Sequence, residues 1–252
     1  MKKTVLLIIL GLVTVGCIIY GTVRHVGGGL KALRNMGVFE IDDDEDGGFD
    51  FDFHWDYDSE EGSDSKLSIN QTLEKFSSIR IDSAVMDLTI EEGPEFKIES
   101  RFNKVYLRPS YSVKNGVLEV IQQKKKGGYT GNNNCRVVIT IPSGNDLSHI
   151  DINSNVGDVK IRELPVDKID VTVNVGEIDI RRTDFAKLNA ETNVGEIDID
   201  SNGKLDEYSI DVSTDIGELS VGHKTYRHHY NSHVSGSKKI SAKTNVGEIN
   251  IR

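Results

Sequence analysis

Carboxylate and amide side chains recur at two fixed positions of a repeated heptapeptide, where they could take part in metal binding or hydrolysis. The repeat has the form Asn-Val-Gly-Glu-Ile-x-Ile. Its acid position holds Asp158, Glu177, Glu196, Glu218 and Glu248, and its amide position holds Asn155, Asn174, Asn193, Asp215 and Asn245. Aligned oxygens could ligate calcium, which takes about six to eight oxygen ligands. A pair of such acids could also hydrolyse a glycosidic bond.

The pattern favours neither chemistry. A known calcium-binding repeat of this general kind has the form Gly-Gly-x-Gly-x-Asp, which differs from the present repeat. Glycoside hydrolysis needs one pair of carboxyl groups in unlike environments, whereas these acids recur at equivalent positions in every copy. We therefore interpret the acids as a solvated face and the asparagines as a structural amide column at a turn. Calcium binding remains the alternative for both columns.

Histidines are concentrated in an insertion before the last copy, from Gly222 to Lys239, which holds four of the seven in the chain. They are His223, His228, His229 and His233. Their spacing matches no common zinc pattern, and no cysteine lies nearby. We interpret the insertion as a basic, aromatic surface loop with Tyr226 and Tyr230 at its base. The chain also lacks the usual nucleophile elbow, P-loop and zinc motifs. We therefore predict a non-enzymatic protein without catalytic residues, cofactor or metal.

The glycines of the repeat indicate the architecture. They lie at Gly157, Gly176, Gly195, Gly217 and Gly247, so successive copies are 19, 19, 22 and 30 residues apart. A regular period of about 20 residues is typical of stacked repeats, in which each copy buries its apolar face against its neighbours.

Hydrophobic alternation predicts a strand on each side of a repeat glycine. The apolar residues before Gly176 are Ile169, Val171, Val173 and Val175, and those after it are Ile178 and Ile180. The alternation has period two on both sides but slips by one residue at the glycine, which can absorb the slip as a bend with positive φ. We therefore expect the whole apolar set, Val175 included, on the buried side.

Two folds fit this pattern. In a β-hairpin, Val-Gly would be the loop, but tight hairpins need positive φ at the first loop residue, which a β-branched valine resists. In a β-solenoid, the chain bends at Val-Gly and continues into the next strand, and equivalent residues stack about 4.8 Å apart. We predict an all-β, β-solenoid-like stack with about 19–22 residues per rung and one N-terminal transmembrane helix.

The charge is unevenly distributed along the chain. The net charge is −10, and residues 40–64 contain thirteen acids without a lysine or arginine, so the remainder carries about +3. This near-neutral remainder gives no argument for nucleic-acid binding. The two cysteines, Cys17 and Cys135, lie in different sequence environments and form no disulfide framework.

The N-terminal sequence predicts a membrane anchor over residues 1–24. The run Thr4–Val23 contains no charge and is long enough to span a bilayer. A lipoprotein modified at Cys17 is the alternative, because Thr14-Val15-Gly16-Cys17 faintly resembles a lipobox. Basic residues on both flanks leave the orientation open.

Residues 25–66 read as a flexible acidic linker that carries alternating aromatic residues. These are Phe49, Phe51, Phe53, Trp55 and Tyr57. One interpretation is a disordered tether, which the composition supports. The other is a short partner motif that adds as a strand to the sheet edge of a basic partner.

Several motifs in a fixed order resemble a known family. They are Ile79-x-Ile81 with Asp87-Leu-Thr-Ile90, Asn115-Gly-Val-Leu118, Val137-x-Ile139-x-Ile141-Pro142, and the repeated Val-Gly-Glu-Ile-x-Ile. Over residues 77–252 they resemble the bacterial putative-adhesin β-strand-repeat family of the DUF4097 type, which is related to a protein of a cell-envelope-stress operon in Gram-positive bacteria. The resemblance implies a surface-facing, non-enzymatic domain behind a membrane anchor. It supplies neither a ligand nor binding residues.

These observations together predict an anchor, a linker and a β-repeat domain over residues 67–252. We expect a structural or interaction role at the cell envelope, in adhesion, scaffolding or stress sensing, with an envelope protein or a cell-wall ligand as partner. A carbohydrate-binding or carbohydrate-cleaving solenoid is the alternative, and a cytoplasmic orientation is a third possibility. We also expect the last copy to form the open end of the stack, with the histidine-rich insertion folded over that end as a cap.

Overall fold

The computed structural model describes residues 67–123, 129, 131–235 and 238–252. The predicted anchor, residues 1–24, and the aromatic motif of the predicted linker lie outside these residues. Among the residues described, no helix has the length and apolar character needed to cross a membrane.

The described part of the chain consists of strands with two short 3-10 helices, Val105–Leu107 and Leu205–Glu207. The first nine strands are β1 (Ser68–Thr72), β2 (Ser78–Val85), β3 (Asp87–Gly93), β4 (Lys97–Phe102), β5 (Ser110–Lys114), β6 (Val117–Ile121), β7 (Cys135–Pro142), β8 (Leu147–Val156) and β9 (Val159–Arg162). The others are β10 (Pro165–Val175), β11 (Ile178–Val194), β12 (Ile197–Ser201), β13 (Tyr208–Ile216), β14 (Leu219–Val221), β15 (Lys224–Tyr226), β16 (His229–Ser232), β17 (Lys238–Val246) and β18 (Ile249–Ile251).

Each repeat copy forms one rung, with a long strand, a bend at Val-Gly and a short strand. In the rung that turns at Gly176, the long strand β10 pairs in parallel with β8 and with the second half of β11. The short strand, the first part of β11, pairs in parallel with β9 and β12. Equivalent residues are in register, for example Val171 with Ala190 and Ile178 with Ile197. The solenoid-like interpretation is therefore confirmed over the hairpin.

The long strands pair in one sheet, sheet B, and the short strands pair in another, sheet A, with β11 running through both. The core consists of the apolar residues on the inner side of each rung. In the rung at Gly176, Ile169, Val173, Ile178 and Ile180 are completely buried. Burial of one such side chain contributes roughly 1.5–3 kcal/mol, and the contribution is available only when the neighbouring rungs are present.

The rungs do not stack in the order of the sequence. We number them along the chain: rung 1 (β2, β3), rung 2 (β8, β9), rung 3 (β10, first part of β11), rung 4 (second part of β11, β12), rung 5 (β13, β14) and rung 6 (β17, β18). In sheet B, β17 pairs with β11 on one side and β13 on the other, and β18 lies likewise between β12 and β14 in sheet A. Rung 6 is therefore internal, and the expectation that it forms the open end is wrong.

The histidine-rich insertion covers rung 5, which is the terminal rung on that side. Its strand β15 pairs antiparallel with β14, and β16 pairs antiparallel with β13. The rings of Tyr226 and Tyr230, one on each strand, have centroids 4.5 Å apart. We call these two antiparallel strands and the residues that join them, residues 224–232, the reverse cap. The predicted cap thus exists, but it covers the rung that precedes it in the sequence.

The other end of the stack uses the same arrangement. Strands β6 and β7 pair in parallel with β2 and β3 of rung 1, and β5 and β4 then pair antiparallel with β6 and β7. A tight turn joins β5 to β6, with positive φ at Asn115 and Gly116. Cys135, at the start of β7, is a free, buried thiol, and burial raises its pKa to about 12. The thiol therefore stays protonated and unreactive.

The four histidines of the insertion are exposed and do not converge. The Nε2 atom of His229 lies 3.1 Å from Oδ1 of Asp211 on the adjacent strand. Within the described ranges, no group of three or more histidine, cysteine or acidic side chains is arranged to hold a metal ion.

Deletion of residues 224–236 should produce soluble oligomers. The deletion removes both strands of the reverse cap, so the backbone groups of β13 and β14 become an open edge that can pair with another chain. Light scattering of the full chain would detect the oligomers. The matched control is a Lys224→Gln, Arg227→Gln variant, which loses charge from the cap but keeps its strands and should associate no more than the parent chain. A deletion variant that associates no more than the parent chain at high concentration would contradict the capping role.

Candidate functional site

The bend of each repeat rung is formed by a glycine in a conformation that other residues rarely adopt. Gly157, Gly176, Gly195, Gly217 and Gly247 have φ values of 128°, 145°, 148°, 145° and 144°. A Cβ atom at any of them would lie between 1.8 and 2.3 Å from a backbone carbonyl oxygen of the adjacent rung. Contacts this short are impossible, so the column of bends, which we call the corner, requires glycine at each of these positions.

Rung 1 has Met86 in place of glycine, and the structure explains the exception. Each repeat glycine would clash with the rung on the side nearer rung 1. On that side of Met86 lie β6 and β7, which pair with β2 and β3. The long connection between β6 and β7 takes the place of a tight corner there. The side chain of Gln122 fills part of this place, and its Oε1 atom accepts hydrogen bonds from the N–H groups of Ala84 and Val85 at 3.2 and 2.7 Å.

Backbone hydrogen bonds hold successive corners together. Except in the terminal rung, the N–H of each repeat glycine donates to the carbonyl of the residue before the next rung's glycine, for example Gly176 to Val194 at 3.0 Å. Two residues later, the N–H of Ile178 donates to the carbonyl of Glu196 at 2.9 Å. The corner is therefore as fully hydrogen-bonded as the strands on either side of it.

The predicted amide column is present on one side of the corner. The side-chain amides donate in sequence, Asn174 to Asn155 at 3.3 Å, Asn193 to Asn174 at 2.6 Å and Asn245 to Asn193 at 3.0 Å. Asp215 is in register with Asn245 in the terminal rung. Because rungs 5 and 6 exchange places, Asp215 ends the column rather than interrupting it.

Threonines fix the corner from inside, a feature that the sequence analysis missed. The hydroxyl groups of Thr192 and Thr244 donate to the carbonyls of Gly176 and Gly195 at 3.4 Å, and that of Thr214 donates to Gly247 at 3.1 Å. All three threonines are buried. The signal was the recurrence of Thr three residues before Gly195, Gly217 and Gly247, on the inner side of the strand.

The acids of the repeat form a second column on the other side of the corner. From rung 1 to the terminal rung, its members are Asp87, Asp158, Glu177, Glu196, Glu248 and Glu218. Burial and neighbouring acids raise the pKa values of Asp87 and Glu196, and burial outweighs the nearby Lys160 to raise that of Glu177. Within the described residues, none of these six acids forms an ion pair.

The acids two residues further on are neutralised instead. The buried carboxylate of Asp179 lies 2.6 Å from Nε of Arg181 and 3.6 Å from Nη2 of Arg162. Asp198 lies 3.7 Å from Nη2 of Arg252. Within the described residues, arginines thus form ion pairs with the second row of acids, whereas the acid column beside the corner forms none.

An apolar column lies between the amide and acid columns. Its members are Val85, Val156, Val175, Val194, Val246 and Ile216, which are in register across the stack. The exposed fractions of Val175, Val194 and Ile216 are 37%, 42% and 54%. The expectation that Val175 lies on the buried side is therefore wrong, because the bend at Gly176 begins one residue earlier and leaves the valine at the surface. We call this column the valine ridge.

A separate polar cluster lies on the outer face of sheet B. Asp170 there is hydrogen-bonded to Lys168, to Asn189 at 2.5 Å and to Nε2 of His149 at 2.7 Å. Partial burial opposes ionisation, but these hydrogen bonds outweigh it and lower the pKa of Asp170 to about 2. The cluster satisfies its own charges and contains no nucleophile, so its chemistry is that of a surface network.

Among the sequence-predicted site residues, the five glycines and the five residues of the amide position are brought together at the corner. The possible partner motif, Phe49, Phe51, Phe53, Trp55 and Tyr57, lies outside the described residues. The valine ridge and the threonines are additions from the structure.

The family follows from this repeat geometry and from the sequence match. The model of the Toastrack DUF4097 family matches residues 76–201 and 143–252. The chain belongs to the Toastrack DUF4097 family. No relative among curated protein sequences matches with significance.

Solved structures of other bacterial proteins are similar to this chain. A putative cell adhesion protein from Clostridium sporogenes is similar with a TM-score of 0.56 and 20% identity, over 73% of this chain and 97% of that one. A putative adhesin from Bacteroides fragilis is similar over 74% of this chain and 96% of its own, with 15% identity and a TM-score of 0.36. At 20% identity, the first similarity supports the fold alone. The TM-score of the second is too low to support even the fold.

Replacement of Gly195 by alanine should destabilise the domain by at least about 2 kcal/mol, because the new Cβ would collide with the carbonyl oxygen of Gly176 and the backbone would be strained. The control is Gly144→Ala, where φ is also positive but nothing lies within 4 Å of the added Cβ; it should cost about 1 kcal/mol. Urea unfolding measures both. Equal losses would show that close packing at the corner is unimportant.

Replacement of Glu196 by glutamine should stabilise the domain at neutral pH by up to about 1 kcal/mol, after allowance for solvent screening. A carboxyl whose pKa is raised on folding binds more protons in the folded state, so stability falls as pH rises above its unfolded value of about 4.3. The gain should therefore shrink as pH falls to that value. Unfolding curves at several pH values test this, with Glu191→Gln on the outer face of β11 as the control. A gain independent of pH would contradict the assignment.

Proposed function

We propose that this Toastrack protein is a membrane-anchored, extracytoplasmic interaction protein of the bacterial cell envelope, with a role in adhesion, scaffolding or envelope-stress sensing and without catalysis. The observation that supports it best is the corner, where an exposed valine ridge runs beside an acid column that lacks ion pairs. Exposed apolar surface rimmed by polar groups is typical of an interaction site.

The absence of catalysis is proposed from the regularity of the site. The acids of the corner occupy equivalent backbone positions in successive rungs, and three of them show the same direction of pKa shift. General acid–base catalysis uses groups whose environments drive their pKa values apart. A uniform column suits repeated, additive contacts with a partner better than a single chemical step.

Support for the location comes from the sequence. The uncharged run Thr4–Val23 is long enough for a membrane anchor, and the acidic linker that follows would extend by charge repulsion. The similar structure from Clostridium sporogenes is described as a putative cell adhesion protein. A carbohydrate-binding surface protein is the second candidate, favoured by the half-exposed Tyr226–Tyr230 pair on the reverse cap.

Protease treatment of intact, wall-stripped cells should cleave the β domain. Loss of an epitope placed after Arg252 measures the cleavage, a cytoplasmic protein serves as the marker of intact cells, and a lysed sample gives complete digestion. Cleavage only after lysis would place the domain in the cytoplasm and overturn adhesion and surface binding together.

A further inference from the structure

We infer that the valine ridge is a docking surface for a second copy of the same chain, with two ridges side by side about a two-fold axis parallel to the stack. This inference rests on the proposed interaction role and names the partner of the corner. Three features of the corner support it: the apolar area, the arrangement of the flanking columns and the spacing of the repeat.

The ridge supplies a continuous apolar contact. Its six β-branched residues are in register in neighbouring strands, so the ridge is about 24 Å long at the usual strand spacing of about 4.8 Å. The exposed fraction is greatest toward the terminal rung, where Ile216 is 54% exposed. A ridge of this length with one residue per rung forms a small interface, in the range below about 1,200 Å² that is typical of weak association.

The columns beside the ridge determine how two copies can face each other. With the two-fold axis along the ridge, the acid column of each copy lies opposite the amide column of the other, on both sides of the apolar contact. With the axis across the ridge, acid would face acid, and like charges would repel. The first arrangement is therefore favoured.

The amide and acid columns have complementary hydrogen-bonding capacity. Each asparagine side chain has two N–H groups, and the column uses one of them from Asn174, Asn193 and Asn245. The second N–H can donate to an opposing carboxylate. Glu177 and Glu248 accept no side-chain hydrogen bond within the described residues, and Glu196 accepts one, from Asn250 at 3.0 Å. The free acceptors of one copy can therefore meet the free donors of the other.

The spacing of the repeat favours a second copy over an extended peptide. Residues on one face of an extended peptide recur about every 6.6–6.8 Å, so a peptide laid along the ridge falls out of step with columns spaced about 4.8 Å apart. A second stack has the same spacing, so that one correctly placed amide–acid pair brings the following pairs into place. Anchoring in one membrane would raise the effective concentration of the weakly associating copies.

Cysteine cross-linking of the full chain in its native membrane tests the inference. Residues on a ridge that lies along the two-fold axis face their own equivalents, so Val194→Cys should form a disulfide-linked dimer under a membrane-permeable oxidant. The parent chain is the baseline, and the control is Lys187→Cys, which is also exposed but lies on the outer face of sheet B, away from the ridge. We expect several-fold more dimer from Val194→Cys than from the control.

Charge variants in the Val194→Cys chain separate the specific arrangement from chance collision. Glu177→Lys with Glu196→Lys places ammonium groups opposite asparagine N–H groups and should remove most of the dimer. Glu177→Gln with Glu196→Gln keeps carbonyl acceptors and should retain it. Thermal unfolding confirms that both variants are folded. Equal dimer yields from Val194→Cys and Lys187→Cys, or from both charge variants, would overturn the inference.

The result is independent of the proposed location, because the oxidant reaches both sides of the membrane. A disulfide adduct with a different protein, in place of the dimer, would overturn self-docking while supporting an interaction role for the ridge. Dimer formation by a domain that resists protease until lysis would support self-docking and overturn the envelope location.

Discussion

The close approach of backbone at the corner is the constraint on which the rest of the stack depends. At each repeat glycine, a Cβ atom would lie only 1.8–2.3 Å from a carbonyl oxygen of the adjacent rung. This approach lets the corner N–H groups donate to the next rung at 2.8–3.0 Å without interruption. The register of both sheets is therefore fixed at the bend, and every outward row, whether amide, apolar or acidic, becomes a straight column.

Much of this fold could be predicted from residue order alone. The alternation on both sides of Gly176, the one-residue slip and the resistance of valine to positive φ together favour a bend after which the chain continues around the solenoid. They disfavour a hairpin, in which the chain would turn back on itself. The exposure of Val175 could not be predicted this way, because alternation assigns a face only while the strand stays straight. The bend begins before the glycine, and the residue that alternation places inside lies instead at the surface.

The stacking order of the rungs could not be predicted from the repeat pattern, because the repeats are nearly equivalent. Rungs 4, 5 and 6 present nearly the same corner, with Val or Ile followed by Gly-Glu, so their backbone pairing does not distinguish one order from another. The amide column does distinguish them. Asn245 donates to Asn193 when rung 6 follows rung 4, whereas chain order would place the carboxylate of Asp215 between two asparagines. The antiparallel return of β15 and β16 then occupies the outer edge of rung 5 and leaves the inner position to rung 6.

The ends and the corner differ in how they treat association with other chains. At both ends, antiparallel strands cover the terminal parallel rungs, and the reverse cap consists of strands of only three and four residues, with exposed charged or histidine side chains. Short, charged edges resist the addition of further strands. The corner differs, since Asp179 and Asp198 form ion pairs with arginines, whereas within the described residues the acid column forms no ion pair and part of the valine ridge stays exposed. In-register like charges destabilise a sheet, and their retention beside exposed valines is best explained by contacts made along the side of the stack rather than at its ends.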